Sequence, residues 1–368
     1  MRVRSAKIRD AHSAVRPRES GDPGTKYSNV SKSGSPLPRG RTEIDIRAGR
    51  LVKLACVCAV IGAGMSIATS AAQAQGSWTT KAPVPARLNE VTLAAVGGKL
   101  HVMGGSVLGF TGPYHVQYDP ANDSWRVRAP LPRALDHIGS AVLNGKVYLI
   151  GGFVGGGVHR DGQNTAFEYD PVSDTWRILA PMKAGRGSVG VVAFDGKIHA
   201  IGGRSPDNAV TVATHEVYDP ATNSWKELAP LPKARDHAAA GVMDGKIYFA
   251  GGRFGPSTER TGMLDIYDPK SNAWISGPAM PTPRSGLAGA VYKGVFMVLG
   301  GEMPPNATNA ENEAFDPKAN AWRTLAPMPA GRHATAAAVL GDSVYLAAGS
   351  LRPGSGQVTD QTIVFTMP

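Results

Sequence analysis

Apolar residues along this chain come in short runs that end in turn-forming pairs, and stretches with helical spacing are few. Residues 143–152, 194–203 and 243–252 read LNGKVYLIGG, FDGKIHAIGG and MDGKIYFAGG. Each predicts a tight β-hairpin, because Asn-Gly and Asp-Gly supply the positive φ that a two-residue turn requires. Aromatic-Asp-Pro triplets stand at Tyr118-Asp119-Pro120, Tyr169-Asp170-Pro171, Tyr218-Asp219-Pro220, Tyr267-Asp268-Pro269 and Phe315-Asp316-Pro317. There the Asp side chain bonds the backbone ahead and Pro fixes φ, so each triplet predicts a second kind of turn. With 45 glycines and 28 prolines, the chain is expected to be all-β, built from many short strands.

These turns belong to a repeat. Trp78, Trp125, Trp176, Trp225, Trp274 and Trp322 lie 47, 51, 49, 49 and 48 residues apart. A small pair follows each Trp by 26 residues: Gly104-Gly105, Gly151-Gly152, Gly202-Gly203, Gly251-Gly252, Gly300-Gly301 and Ala348-Gly349. Over residues 76–368 this register resembles the kelch family, whose repeat of about 50 residues folds as one propeller blade. The resemblance implies a six-bladed kelch-type β-propeller with four antiparallel strands per blade. The Tyr and Trp are then packing residues between and within blades, and the paired glycines admit bulky neighbours. Trp78 opens the repeats with a lone fourth strand, and the chain ends after a third. Residues 76–82 are therefore expected to complete blade six and close the ring, which removes exposed edges.

Charge changes the picture less than its total suggests. The net +10 is concentrated in residues 1–74, with 13 Lys/Arg against 5 Asp/Glu, leaving 26 against 24 beyond them. No nucleic-acid partner is implied. Arg50 and Lys53 precede a 15-residue apolar core (LACVCAVIGAGMSIA) and an Ala72-Gln73-Ala74 cleavage signature. Residues 47–74 thus read as a signal peptide; the core is shorter than the roughly 20 residues that span a bilayer, so no stable membrane anchor is expected after cleavage. The mature propeller, residues 75–368, would carry no cysteine, since Cys56 and Cys58 both lie in that core, and would work in the periplasm or outside the cell. Residues 1–46 read as a disordered leader or as sequence upstream of a true start near Val52.

From the second glycine to the next Trp the spacing varies, at 20, 24, 22, 22 and 21 residues. Variation is confined to the loop between strands two and three, which shares a face with the inter-blade linkers. That face is the expected binding face. Directly after the glycines stand Ser106, Phe153, Arg204, Arg253, Glu302 and Ser350; ten residues past each Trp stand Leu88, Leu135, Arg186, Arg235, Arg284 and Arg332. The next positions add Asn89, Glu90, Asp136, His137, Ser188, Asp236, His237, Ser285 and His333. Together they are expected to ring the channel mouth as a moderately cationic, solvent-accessible rim suited to a carboxylate or phosphate. The plain alternative is that the recurrent Arg clamps neighbouring blades. The ligand-binding candidates are Arg186, Arg204, Arg235, Arg253, Arg284, Glu302, Arg332, Asp136, His137, Asp236, His237 and His333. His137, His237 and His333 fall in alternate blades and suggest a three-histidine metal site, but His333 is offset by one residue, which reverses its direction on a strand; no metal or cofactor is assigned. His101 and His199 lie within second strands and read as core. Gly155-Gly156-Gly157 reads as a flexible loop, since no helix follows it to cradle a phosphate.

Three functional classes stay open. One is a binding module for an acidic small molecule, glycan, peptide or partner protein. The second is a periplasmic acidic-sugar mutarotase or epimerase, from a resemblance to exported bacterial sialic acid mutarotases. Those enzymes use a Glu just after the paired glycines and an Arg later in the same loop. Glu302 matches the acid and is the candidate catalytic residue, but residues 303–309 contain no Arg; the resemblance therefore implies an Arg from another blade. The third, a copper oxidase resembling galactose oxidase, needs a Cys–Tyr cross-link that a cysteine-free mature chain cannot form. A GxSxG nucleophile elbow is absent.

Overall fold

The computed structural model describes residues 75–156, 159–255, 259–303 and 305–368, with only the backbone of His159. The leader and signal-peptide expectations for residues 1–74 lie outside these residues, as does Gly157. Six four-stranded antiparallel sheets account for the repeats. Blade one runs Thr92–Val96, Lys99–Met103, His115–Asp119 and Ser124–Val127; blade four runs Ala239–Met243, Lys246–Ala250, Leu264–Asp268 and Ala273–Gly277. First strands touch in cyclic order, the sixth returning to the first, so the sheets form a six-bladed β-propeller around an axis.

The turn chemistry acts as the sequence dictates. Asn144 and Gly145 sit at φ 51° and 73°, Asp244 and Gly245 at 51° and 72°, the left-handed pair that a tight hairpin needs. In every Asp-Pro turn the Asp carboxylate accepts from the amide two residues on, at 2.8–3.0 Å. Each Trp has one polar task besides packing. All six indole N–H groups donate to a carbonyl in the preceding linker (Ala326, Ala82, Ala129, Ala180, Ala229 and Pro278) at 2.7–3.0 Å. Hydrophobic clusters fill the spaces between adjacent blades, such as Tyr248, Leu264 and Leu287 with Phe296 and Phe315.

The ring closes as expected. Ser77–Lys81 pairs with Thr362–Thr366, placing the first strand beside the last. The segment read as a flexible loop differs. Phe153–Gly156 pairs with His159–Gly162 as a two-stranded ribbon, because the chain there is long enough to satisfy its own backbone groups. Shorter ribbons rise from blades one and five, at Ser106–Val107 with Phe110–Thr111 and Glu302–Met303 with Ala307–Thr308.

His101 and His199 are core residues, and each is half of a pair. His115 donates through Nδ1 to the Ala129 carbonyl at 2.8 Å, so its Nε2 accepts from His101 Nδ1 at 2.8 Å. His215, Ala229 and His199 repeat this in blade three at 3.3 and 3.0 Å. Burial, with the neighbouring ring adding repulsion in the first and last case, lowers His101, His115, His199 and His215 to about 3, 4, 4 and 3. A ring neutral when folded but protonated near 6.5 when unfolded makes the unfolded state bind more protons between those values. Stability is therefore unaffected above pH 6.5 and falls as pH drops below it, by about 2 kcal/mol per ring at pH 5. Urea midpoints at pH 7 and pH 5 should show the loss, and a His199→Leu/His215→Leu variant should show a shallower one. Equal slopes in the two proteins would count against it.

Candidate functional site

The paired glycines set the site by letting backbones meet. Gly252 sits at φ 94°, and a Cβ there would lie 2.5 Å from the Asp236 carbonyl. The contact lets Asp236 and Arg253 pair across a short antiparallel bridge, which recurs as Asn89–Ser106, Asp136–Phe153, Gly187–Arg204, Ser285–Glu302 and His333–Ser350. One residue further on, Glu90, His137, Ser188, His237, Gly286 and Ala334 all adopt left-handed φ between 51° and 69°. Such a conformation costs a non-glycine residue on the order of 1 kcal/mol or more and persists only where the surroundings enforce it. Here the enforcement is a backbone collar. Glu90 N donates to Ala334 O, His137 N to Glu90 O, Ser188 N to His137 O, His237 N to Ser188 O and Gly286 N to His237 O, at 2.8–3.4 Å.

Above the collar opens a cavity of about 620 Å³, lined by Glu90, His137, His237, Arg253, Arg260, Glu302 and His333 and by the loop residues Pro305, Asn306, Pro353 and Gly354. Below it a narrower axial space of about 170 Å³ runs between the first strands. Glu302 Oε1 accepts from Arg253 Nη1 at 2.8 Å and lies 3.3 Å from Arg260 Nη2, while Oε2 is 3.8 Å from His333 Nδ1. Arg253 also donates through Nε to Asp236 at 3.1 Å and through Nη2 to His237 Nε2 at 3.2 Å. Asp236, fully buried, binds His237 Nδ1. Blade two repeats the unit, with Asp136 on His137 Nδ1 at 2.7 Å and Arg160 on Asp136 at 2.6 Å. His137 Nε2 meets Glu90 Oε2 at 3.1 Å.

Burial lowers His237 to about 4, helped by repulsion from Arg253 and opposed by Asp236, so at neutral pH it is a neutral ring with its Nδ1 proton on Asp236. Burial alone would raise the carboxyls of Glu90 and Asp236. Facing histidines and guanidinia outweigh it and hold both near 2.

Five of the twelve candidates line the cavity: His137, His237, Arg253, Glu302 and His333. Asp136 and Asp236 lie behind them, fully buried. The other five need correction. Arg186, Arg235, Arg284 and Arg332 do not ring the mouth; all are at most 2 % exposed. Each reaches down its own blade, to Glu216, Asp265 and Glu313 on the third strand and, in blade six, to Gln361 just before it. Burial disfavours the charge of each guanidinium, and the carboxylate or carbonyl oxygens within reach offset part of that cost. Arg204 ties loops together, donating to Asp236, Asn208 and the Gly255 carbonyl at 2.9–3.4 Å. Nor are Arg204 and Arg253 freely accessible, since both side chains are 14 % exposed. The rim is balanced rather than cationic: Arg160, Arg204, Arg253 and Arg260 face Glu90, Asp136, Asp236 and Glu302.

Two charged cavity residues were not among the candidates, Glu90 and Arg260. Glu90 was signalled by its repeat position, matching His137 and His237. Arg260 had no such signal, because it lies in a variable loop. The Arg253–Arg260 bridge across that loop brings it to Glu302, 3.3 Å away.

The architecture is that of a repeat propeller with an axial pocket. Residues 187–349 match a model described as the KLHDC2/KLHL20/DRC7 Kelch-repeats domain, and residues 136–183 match the Kelch motif. The chain belongs to the kelch-repeat β-propellers. Kelch-like protein 35 of Mus musculus is 29 % identical over 129 residues, which is 35 % of this chain and 21 % of that protein. The chain thus spans about a fifth of that relative. Among solved structures, one titled "Structure of YjhT" superposes with a TM-score of 0.67 at 16 % identity, covering 78 % of this chain and 97 % of that one.

Proposed function

We propose that the propeller binds a small polar ligand of sugar-acid type in the axial cavity. The observation that carries this is Arg260. Its side chain is 9 % exposed, its Nε has no hydrogen-bond partner among the described residues, and it lines a space of about 620 Å³. Leaving a buried donor unpaired costs about 1–3 kcal/mol, a cost that a ligand oxygen would remove. The balanced charges around it suit a ligand with many hydroxyls and one acid group better than a polyanion. Residues 47–74, read as an export signal, would place this activity outside the cytoplasm; the mass of the mature protein tests that.

A second reading, mutarotation, is favoured by the Glu302–Arg253–Arg260 contact. Anomer exchange moves one proton from the anomeric hydroxyl to the ring oxygen, opens the ring and recloses it on the other face. In this reading Glu302 relays that proton while the guanidinia steady charge on the oxygen. Calorimetry against a panel of sugar acids, N-acetylneuraminic acid included, tests both readings. Arg260→Ala should weaken binding by about 1.5–3 kcal/mol, and Glu302→Gln should abolish exchange measured by NMR while the protein stays folded. Exchange that persists in Glu302→Gln removes the catalytic reading; no binding by the unmodified chain removes both.

A further inference from the structure

We propose that Glu90, His137 and His237 form a binding site for a divalent transition-metal ion at the floor of the cavity. The three residues occupy equivalent collar positions in blades one, two and four, and their left-handed backbones turn the side chains toward the axis. One donor atom from each lies within 4.8 Å of the other two. Glu90 Oε2 and His137 Nε2 are 3.1 Å apart, close to the spacing that two ligands of one ion with bonds of about 2.0–2.1 Å require. The two imidazole rings stand 5.1 Å apart, centre to centre. Two such ligands of a tetrahedral ion stand about 3.3 Å apart, so a movement of His237 by up to about 1.5 Å would complete the set.

The surroundings are built like those of a metal site. Each histidine has its Nδ1 on the carboxylate of the Asp directly before it, and Asp136 and Asp236 are both fully buried. A carboxylate on the far nitrogen is the usual partner of a metal-bound histidine and turns Nε2 toward an ion; Arg160 Nη1, also 2.7 Å from His137 Nδ1, would keep only Asp136 once that nitrogen carries its proton. Arg160 and Arg253 anchor those carboxylates in turn. Three protein ligands leave coordination positions that open into the cavity, as in sites where a metal meets a small molecule. Two imidazoles and one carboxylate select zinc or another late first-row divalent ion over calcium or magnesium. Arg253 Nη2 and Ser188 Oγ, each 3.2 Å from His237 Nε2, would yield to the ion, and Arg253 would keep Asp236 and Glu302. His333 is no ligand: it precedes the collar position by one residue, and its Nε2 contacts the Arg352 carbonyl at 2.9 Å.

The site does not depend on the sugar-acid reading and is tested without a sugar. The untagged full chain, stripped by chelator and dialysed, is titrated with Zn²⁺ by calorimetry and with Co²⁺ by visible absorption. One ion per chain is expected, with a Co²⁺ ligand-field band. Glu90→Gln and His237→Gln should each abolish stoichiometric binding, Asp136→Asn should weaken it about 10–100-fold, and His333→Gln should leave it unchanged. Far-UV circular dichroism checks that each variant is folded, and Asp136→Asn retains the full ligand set should a ligand variant unfold. Absence of the Co²⁺ band in the unmodified chain overturns the proposal, as does binding that survives His237→Gln or is lost with His333→Gln.

Discussion

Replacing Arg284 by Ala should cost about 3–5 kcal/mol of folding stability, the usual penalty for breaking one half of a buried ion pair. Arg284 is fully buried, pairs with Glu313, and also donates to the Gly300, Thr282 and Val298 carbonyls at 2.7–3.0 Å. Removing it strands a carboxylate that is 2 % exposed. The same chain indicates how to relieve the damage. At the matched positions blade one carries Leu88 with Val116 and blade two Leu135 with Phe167, each pair within an apolar cluster. The double change Arg284→Leu/Glu313→Val should therefore lose much less than Arg284→Ala, because no charge is left unpaired. Urea unfolding of both variants measures it. If the double change is as damaging as the single one, stranded charge is not the cause.

Deleting residues 76–82 should cost more than any single substitution. It removes the strand Ser77–Lys81 that covers Thr362–Thr366, the 5.1 Å contact of Trp78 with Phe365, and the indole bond to Ala326. The exposed edge of blade six would then offer unpaired backbone to other chains. The expected result is loss of the single cooperative transition and concentration-dependent aggregation. A deletion variant that melts as the unmodified chain does, and stays monodisperse, would show that ring closure contributes little.

The recurrent arginines are matched in the sequence by recurrent acids. Their role was present in the sequence as a second column: Glu216, Asp265 and Glu313 each stand nine residues before a Trp, in the same repeats that carry Arg186, Arg235 and Arg284. The repeats with Leu at the Arg position carry Val116 and Phe167 there instead. Reading the two columns together would have pointed to clamps within blades. For Arg260 and Arg204 no column existed. Both lie in or beside loops whose length differs between blades, and their partners, Glu302 and Asp236, come from other repeats.

The fold, the turns and the closure of the ring were determined by the sequence alone. Asp-Gly, Asp-Pro and glycine-pair conformations are decided within a few residues, and six copies of one pattern repeat each decision. The site was decided by tertiary structure. The collar brings together Glu90, His137 and His237 from positions up to 147 residues apart, and a one-residue offset keeps His333 out of that set. Such convergence depends on the angle between blades and on backbones held left-handed by bonds to their neighbours. Those constraints arise only once the ring has closed, so no local stretch of the chain encodes them.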